Sequence, residues 1–460
     1  MSGLILIIFG LINVGLTQLC YENCRGGMKK DLITKLPGYD GPKLTQYSGF
    51  IQVNKSANGS LFYWFIESQN DPANDEFLVW INGGPGASSL TGLFGENGPF
   101  RVNPKDTSKL DYHQYAWTEY YNMLFIDNPI GTGFSFCNDG NWVVNEQQMA
   151  TQFVAFLDTF FTDCHADFAK NGLYITGESY AGRYIPWIGQ EILKQPRPYT
   201  LKGLAIGNGI YDPYIQFYSS AHYAHAWGII DDEQRDYVLD KVSQCMPIPP
   251  NNTTLNCSQR ATMCEDITND IYNSTMGNVF QYNVYQRDPN FFDEQSADIT
   301  TYLNQSDVIA AVGTCGIPFK DSDGTSSPNP VSDALLCDIV YNNSALFIPE
   351  ILSKGVPILF YNGQLDGSIC NNLGNSECLN QLNYNGDWYS LDKTVFMTKE
   401  PSETKALTAG YMKQSNDKLL SYFVVSDSGH LVPYDQPYNI LCVIRNWING
   451  GNWNQTYQLQ

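Results

Sequence analysis

Positive charge is scarce in this sequence: 26 Lys and Arg stand against 47 Asp and Glu, a formal net charge of −21. A polyanion would be repelled by such a surface, which excludes nucleic acid as a natural partner. The acidity serves solubility, or service in an acidic compartment where protonation trims the self-repulsion; composition does not choose between them. Histidine is scarcer still, with five in 460 residues, so any imidazole chemistry rests on that handful. No Lys or Arg precedes Arg25, and beyond Leu4 to Leu16 no run is long or apolar enough to cross a membrane. The mature chain is therefore expected to be soluble, with no membrane span. Paired CxxC sets are missing as well, which argues against zinc for the 12 cysteines. Neither a metal nor a cofactor is expected.

What is present describes a folded, exported protein. Hydrophobic residues make up 43% and aromatics 14%, enough to pack a large core, and the length suits one domain carrying an insertion. The run Leu4 to Leu16, followed by Thr17, reads as a secretory leader over residues 1–17, with a buried N-terminal segment as the alternative. Asn-x-Ser/Thr triplets begin at Asn54, Asn58, Asn251, Asn252, Asn256, Asn273, Asn304, Asn342 and Asn454. Their clustering and the cysteine count both fit an oxidising, glycosylating compartment. Cys245, Cys257 and Cys264 lie close enough to staple one local segment.

Strand and helix patterns alternate along the chain. YSGFIQV and LFYWFIES, separated by Asn58 and Gly59, predict a hairpin. FLVWIN, NMLFIDNP, LYITGE and LKGLAIGNG are solidly apolar runs of strand length, the kind buried on both faces of a sheet, and EQQMATQFVAFLDTFF has helical spacing. Such alternation predicts a mostly parallel central sheet covered by helices. From about Tyr211 to Gly324 the sequence turns polar, cysteine-bearing and rich in glycosylation triplets; strand patterns return at GVPILFYNGQLD and LLSYFVVSDSGHLVPYDQP. The expected organisation is a core over 18–210 and 325–460, interrupted by a cap over 211–324.

The chemistry centres on Gly177, Glu178, Ser179, Tyr180 and Ala181, the pattern of a nucleophile elbow in which a tight strand-to-helix turn lifts a Ser hydroxyl out of the backbone. Ala181 replaces the usual Gly but is still small, and Gly182 follows. A Ser needs a base and the base an orienting carboxylate. His113 and His165 have no distinctive frame, and His222 and His225 share a predicted helix in the insertion, where a structural role is favoured over a metal pair. His430 follows the apolar strand YFVV in a glycine-bearing loop, and Asp366 similarly ends VPILFY. The order Ser179, Asp366, His430 is that of α/β hydrolases. Asp427 and Asp435 compete with Asp366, but a neighbour so near His430 in sequence rarely reaches Nδ1 in the right orientation. For the oxyanion, the amide of Tyr180 is one donor, and Gly83 and Gly84 fit the second source, because only glycines let main-chain amides approach a substrate so closely. A plain tight turn is the alternative for NGGPG.

At this point the chain resembles the serine carboxypeptidase family, which has vacuolar and lysosomal members. The resemblance covers about Tyr47 to Pro437 and rests on WINGGPGASSL, ENGPF, LFIDNPIGTGFSF, ITGESYAG, GLAIGNGIYDP, HAWGIID, ILFYNGQLD and SGHLVPYDQP in this order. It implies an α/β-hydrolase fold with an inserted cap, Ser179 as nucleophile, His430 as general base, Asp366 as its orienter, and Gly84 and Tyr180 as the oxyanion hole. It also implies that Asn82, Gly83, Glu96 and Glu178 grip the terminal carboxylate of a peptide. Without that frame Glu178 reads equally well as a solvated turn residue. Carboxyl groups facing a carboxylate must share a proton, so binding is expected to weaken as pH rises. The implied function is removal of C-terminal residues from peptides and proteins through an acyl-enzyme, in a lysosome-like or vacuolar lumen or outside the cell, and a homodimer is compatible with it. An acyltransferase and a non-catalytic stabilising partner of lysosomal enzymes are the alternatives. Two departures stand out: Ala87 occupies a position where relatives usually carry Cys, leaving Cys337 to pair elsewhere or stay free, and the spacing from Asp366 to Cys370 is one residue longer than usual, which leaves the placement of Cys370 open.

Overall fold

The computed structural model describes residues 31–138, 140–247, 253–273, 279–288, 290–320 and 329–459. The expected leader over 1–17, the triplets at Asn251 and Asn252, the side chain of Asn273 and the stretch 321–324 of the expected cap lie outside the described residues.

Among the described residues, ten strands form one sheet: β1 (Gln46–Asn54), β2 (Gly59–Ile66), β3 (Phe77–Ile81), β6 (Asn122–Ile126), β7 (Gly172–Glu178), β8 (Thr200–Gly207), β9 (Ile358–Gly363), β10 (Thr394–Thr398), β11 (Leu407–Gln414) and β12 (Leu420–Val425). A separate small ribbon pairs β4 (Phe100–Val102) with β5 (Leu110–Tyr112). In the order β1-β2-β6-β3-β7-β8-β9-β12-β11-β10 the six strands from β6 to β12 run parallel, and an antiparallel pair closes each end. The β1–β2 hairpin is the one read from the sequence, with Asn58 at its turn in the left-handed region. The β10–β11 hairpin was not anticipated. Its strands alternate weakly and leave Val395, Leu407 and Tyr411 exposed, so no apolar face announces it.

Side-chain parity explains the apolar runs. Along β3, Phe77, Val79 and Ile81 enter one core, while Leu78 and Trp80 enter the other. The first core is closed by α1 (Glu146–Thr159) and α2 (Ala181–Leu193) through Phe153, Leu157, Tyr184 and Ile188. The second is closed largely by α8 (Pro437–Ile448) through Ile440, Leu441 and Ile444. A strand buried on both faces must be apolar at every position, as these are.

Between β8 and β9 the described residues are mainly helical: α3 (Pro213–Ala226), α4 (Asp232–Cys245), α5 (Cys257–Asn273) and α6 (Phe291–Leu303), with shorter helices at Ser306–Ala311, Pro330–Leu335, Asp338–Tyr341 and Ile348–Ser353. A further helix, α7 (Asn372–Leu382), follows β9. Cys245–Cys264 joins α4 to α5, and Cys257–Cys337 ties α5 to the later helices. Cys337 thus pairs with Cys257 of the insertion rather than staying free. No single helix among the described residues is long and apolar enough to cross a membrane.

Candidate active site

Parallel register brings distant residues to one rim. Ile81 pairs with Gly177, Glu178 with Gly207, Gly207 with Tyr361 and Gly363 with Val425, so the C-terminal ends of five adjacent strands are level. The loops that leave them carry Asn82 to Gly84, Ser179, Asn208, Asp366 and His430.

Ser179 takes φ +62°, a left-handed backbone that costs a residue with a Cβ roughly 1–3 kcal/mol. The turn is held by Ser179 N donating to Gly207 O at 3.0 Å, and by Ile210 N and Gly182 N donating to Ser179 O at 3.1 and 2.9 Å. A side chain at Gly182 would collide with the backbone of Gly209 and Ile210, whereas Ala181 is accommodated in the core. That is why Ala at the fifth position of the elbow is compatible with the turn while Gly is required one residue later.

His430, 5% exposed, places Nδ1 2.7 Å from Oδ2 of the fully buried Asp366. The same oxygen accepts a 2.7 Å bond from Asn208 Nδ2, and Oδ1 accepts one from Ser368 N at 2.9 Å. Three donors fix the carboxylate in one orientation. Asn208 was not singled out in the sequence, where it reads as the end of an apolar strand; the one signal is a polar side chain directly beyond that run. Asp435 turns instead to Gly429 N at 2.6 Å, and the Asp427 backbone carbonyl accepts from Gln436.

Ser179 and His430 line a common cavity of about 250 Å³ with Gly84, Tyr180, Ile210, Phe217, Leu335, Leu336, Ile339 and Cys370. The Cys370 thiol is pushed well above its ordinary pKa, first by burial and then by the nearby Asp366 charge. Gly83 lies against Tyr180 N and Ser179 Cβ, so a side chain there would displace the Tyr180 amide.

On the other side of Ser179 and His430 a smaller cavity, about 70 Å³, is lined by Asn82, Gly83, Gly84, Glu178, Thr91, Tyr282 and Phe292. Asn82 is aimed by its own neighbours: Trp80 Nε1 and Gly92 N donate to Oδ1 at 2.8 and 3.0 Å. Its Nδ2 therefore donates outward, to Glu96 Oε1 at 3.0 Å and Glu178 Oε1 at 3.1 Å. Two buried carboxyls that meet at one amide donor are better accommodated with a proton shared between them than with both ionised. Burial raises both pKa values, and the Glu96 charge pushes Glu178 up further, well above the ordinary carboxyl range. Arg101 donates to the Glu96 carbonyl and its charge opposes the rise at Glu96.

The remaining histidines lie elsewhere. His165 is packed among Tyr47, Phe65 and Phe160 and pushed down to about 3 by burial; His113 is lowered to about 3 by burial and by Arg101. His225 in α3 pairs with Asp232.

The serine carboxypeptidase family model matches residues 37–450. The chain belongs to this family. It is 32% identical over 423 residues to serine carboxypeptidase-like 47 of Arabidopsis thaliana, covering 89% of this chain and 80% of that one. A serine carboxypeptidase-like protein of Oryza sativa is 31% identical over 436 residues, covering 93% and 98%. The fold is that of KEX1, a prohormone-processing carboxypeptidase of Saccharomyces cerevisiae, with a TM-score of 0.79 at 24% identity over 94% of this chain and 100% of that one. Membership makes the protein a serine-type carboxypeptidase of the α/β-hydrolase fold.

Proposed function

We propose that this carboxypeptidase removes single residues from the C-termini of peptides through an acyl-enzyme, with a preference for acidic pH. The observation that carries this reading is the buried Asn82–Glu96–Glu178 cluster beside Ser179, in which one amide reaches both carboxyls. In this reading Ser179 Oγ attacks the last peptide carbonyl while His430 Nε2 takes its proton, and Asp366 holds Nδ1–H and stabilises the imidazolium. The oxyanion is met by the amides of Gly84 and Tyr180. His430 returns the proton to the departing amine, and water repeats the sequence on the acyl-Ser.

A terminal carboxylate accepts hydrogen bonds from Asn82 Nδ2, the Gly83 amide and the protonated carboxyl shared by Glu96 and Glu178. Because the cluster lies immediately beside the nucleophile, only the last peptide bond reaches Ser179. Burial of these carboxyls has no evident role in acyl transfer to an alcohol, so the grip favours the peptidase over the acyltransferase. On the acyl side, Ile210, Phe217, Leu335, Leu336 and Ile339 offer no charge, which supports an apolar penultimate residue. The chemistry suits an acidic lumen of the secretory pathway.

Release of free amino acid from an N-blocked dipeptide with two apolar residues at about pH 5 tests the reading. Ester turnover without peptide cleavage would point to acyl transfer, and no labelling by a serine-directed organophosphorus reagent would leave a binding role.

A further inference from the structure

The His430 loop is held from outside the sheet as well as by it. Residues 281–284 of the helical insertion run across the rim between the loop of Asp366 and the loop of His430. Each of the four residues engages one loop or the other. Gly367 N donates to Gln281 O at 2.9 Å and Val284 N donates to Leu365 O at 3.0 Å, which fastens the segment on both sides of Asp366. His430 N donates to Tyr282 O at 2.6 Å, and the Tyr282 ring lies 4.9 Å from the imidazole, centroid to centroid. Asn283 Nδ2 donates to Asp435 Oδ2 at 3.0 Å, the same oxygen that accepts the Gly429 amide at 2.6 Å. The approach is close enough that any side chain on Gly429 would collide with Tyr282 O and Asn283.

We propose that residues 281–284 act as a strap that sets the imidazole of His430, with Asn283 and Asp435 as positioning residues that lock it. The proposal rests on His430 being the base of the serine carboxypeptidase reading. Its physical basis is the backbone of the base: His430 sits in a loop beyond β12, and the strand ladder ends at Val425. A loop free to shift by an ångström would misalign Nε2 with Ser179 and forfeit much of the rate, since proton transfer depends steeply on alignment. Asp435 joins three elements in one carboxylate: its own turn, the Gly429 amide and the strap. With Asp427 it was one of the two acidic residues that rivalled Asp366 in the sequence, and its bond to the amide of Gly429, the residue before His430, gives it an indirect hold on the base. Burial raises the pKa of Asp435, while the Gly429 amide and Asn283 favour its charged form. Tyr282, like Ser179 and His430, lines both the acyl-side and the leaving-side cavities. Asn283 lines neither, which makes it the cleaner probe.

The experiment compares N283A, N283D and the exchange N283D/D435N with the unaltered chain, by peptide hydrolysis and by the rate of Ser179 labelling with a serine-directed organophosphorus reagent. Labelling needs His430 as base but makes no use of the carboxylate grip. N283A is expected to lower kcat and the labelling rate together by about tenfold while KM stays within about twofold, the loss of one bond to a charged group. N283D should lose more, because two carboxylates then face each other. The exchange should recover most of it, since the amide then at position 435 can accept from Gly429 N with its oxygen and donate with its nitrogen to the carboxylate at position 283. Circular dichroism and melting temperature establish that each variant is folded. An unaltered chain that labels normally beside an N283A variant that labels equally fast overturns the strap alone; an unaltered chain that neither labels nor hydrolyses overturns the serine carboxypeptidase reading and the strap with it.

Discussion

Glu96 and Glu178 come from different elements, 82 residues apart by number, yet one amide, Asn82 Nδ2, reaches Oε1 of both at 3.0 and 3.1 Å. The second oxygen of each meets no hydrogen-bond donor among the described residues, and burial with the mutual charge favours a protonated pair over two ionised carboxylates.

The pH dependence of substrate capture follows. Both pKa values are raised, so the proton is held under acidic conditions and lost as pH rises through the elevated value. KM is expected to climb by up to about tenfold per pH unit beyond that point, with kcat less affected. In Glu178→Gln the amide donates at any pH and that climb should flatten. Steady-state kinetics of both proteins between about pH 4 and 8 checks this; an unchanged slope in the variant would show that another group governs binding.

Asn208 is expected to act through Asp366. Removing it in Asn208→Ala leaves Asp366 Oδ2 with only the imidazole as partner. We expect kcat to fall about tenfold with little change in KM, together with a lower melting temperature, because a buried carboxylate loses one of its donors. Ser179→Ala and His430→Ala should each lower kcat by about 10⁴-fold or more. Pre-steady-state kinetics on an activated ester separates the acylation defect from binding.

Stability should decline toward neutral and alkaline pH for a reason outside the rim. Glu146 is raised from 4.5 to about 8, by burial first, although Arg183 opposes the shift; Asp127 is raised from 3.8 to about 7, also by burial. Carboxyls with folded pKa values above their unfolded ones stabilise the fold fully below the unfolded values. That contribution drains away as pH rises through the folded ones, here between about 4 and 8. Melting temperatures should therefore fall across this window, and Glu146→Gln should flatten the fall. Differential scanning calorimetry at fixed ionic strength gives the comparison, and a curve for the variant parallel to the original would exclude Glu146 as the source.

If the larger cavity holds the acyl side as proposed, its charge selection is expected to reverse on substitution of Leu336, which is half-buried in the cavity wall. Leu336→Asp should lower kcat/KM for an apolar penultimate residue and raise it for Lys or Arg, each by about one order of magnitude, since an apolar wall leaves a cation unpaired and a carboxylate pairs it. A blocked-dipeptide panel at one pH measures both changes. Equal losses for all substrates would mean that the penultimate side chain lies elsewhere.

The parallel strands, the β1–β2 hairpin and the elbow could be read from the chain because their signals are local: an unbroken apolar run records burial on both faces, and Gly177 to Gly182 record a turn with no room for bulk. The loops bearing Asp366 and His430 were legible for the same reason, each being the polar end of an apolar strand. The β10–β11 hairpin was not, since edge strands with exposed side chains leave no pattern. Cys337 could not be assigned a partner, because which thiols meet depends on how α5 packs against the helices beyond it. Asp435 shows in the sequence only as a rival orienter and Asn208 only as a polar residue beyond an apolar run, while nothing local marks Asn283; what each of them bonds is set by segments distant in the chain. The sequence determined which segments are buried and where the chain must turn; the tertiary structure decided which polar groups meet at the rim, because hydrogen bonds between distant segments depend on strand order and register rather than on composition.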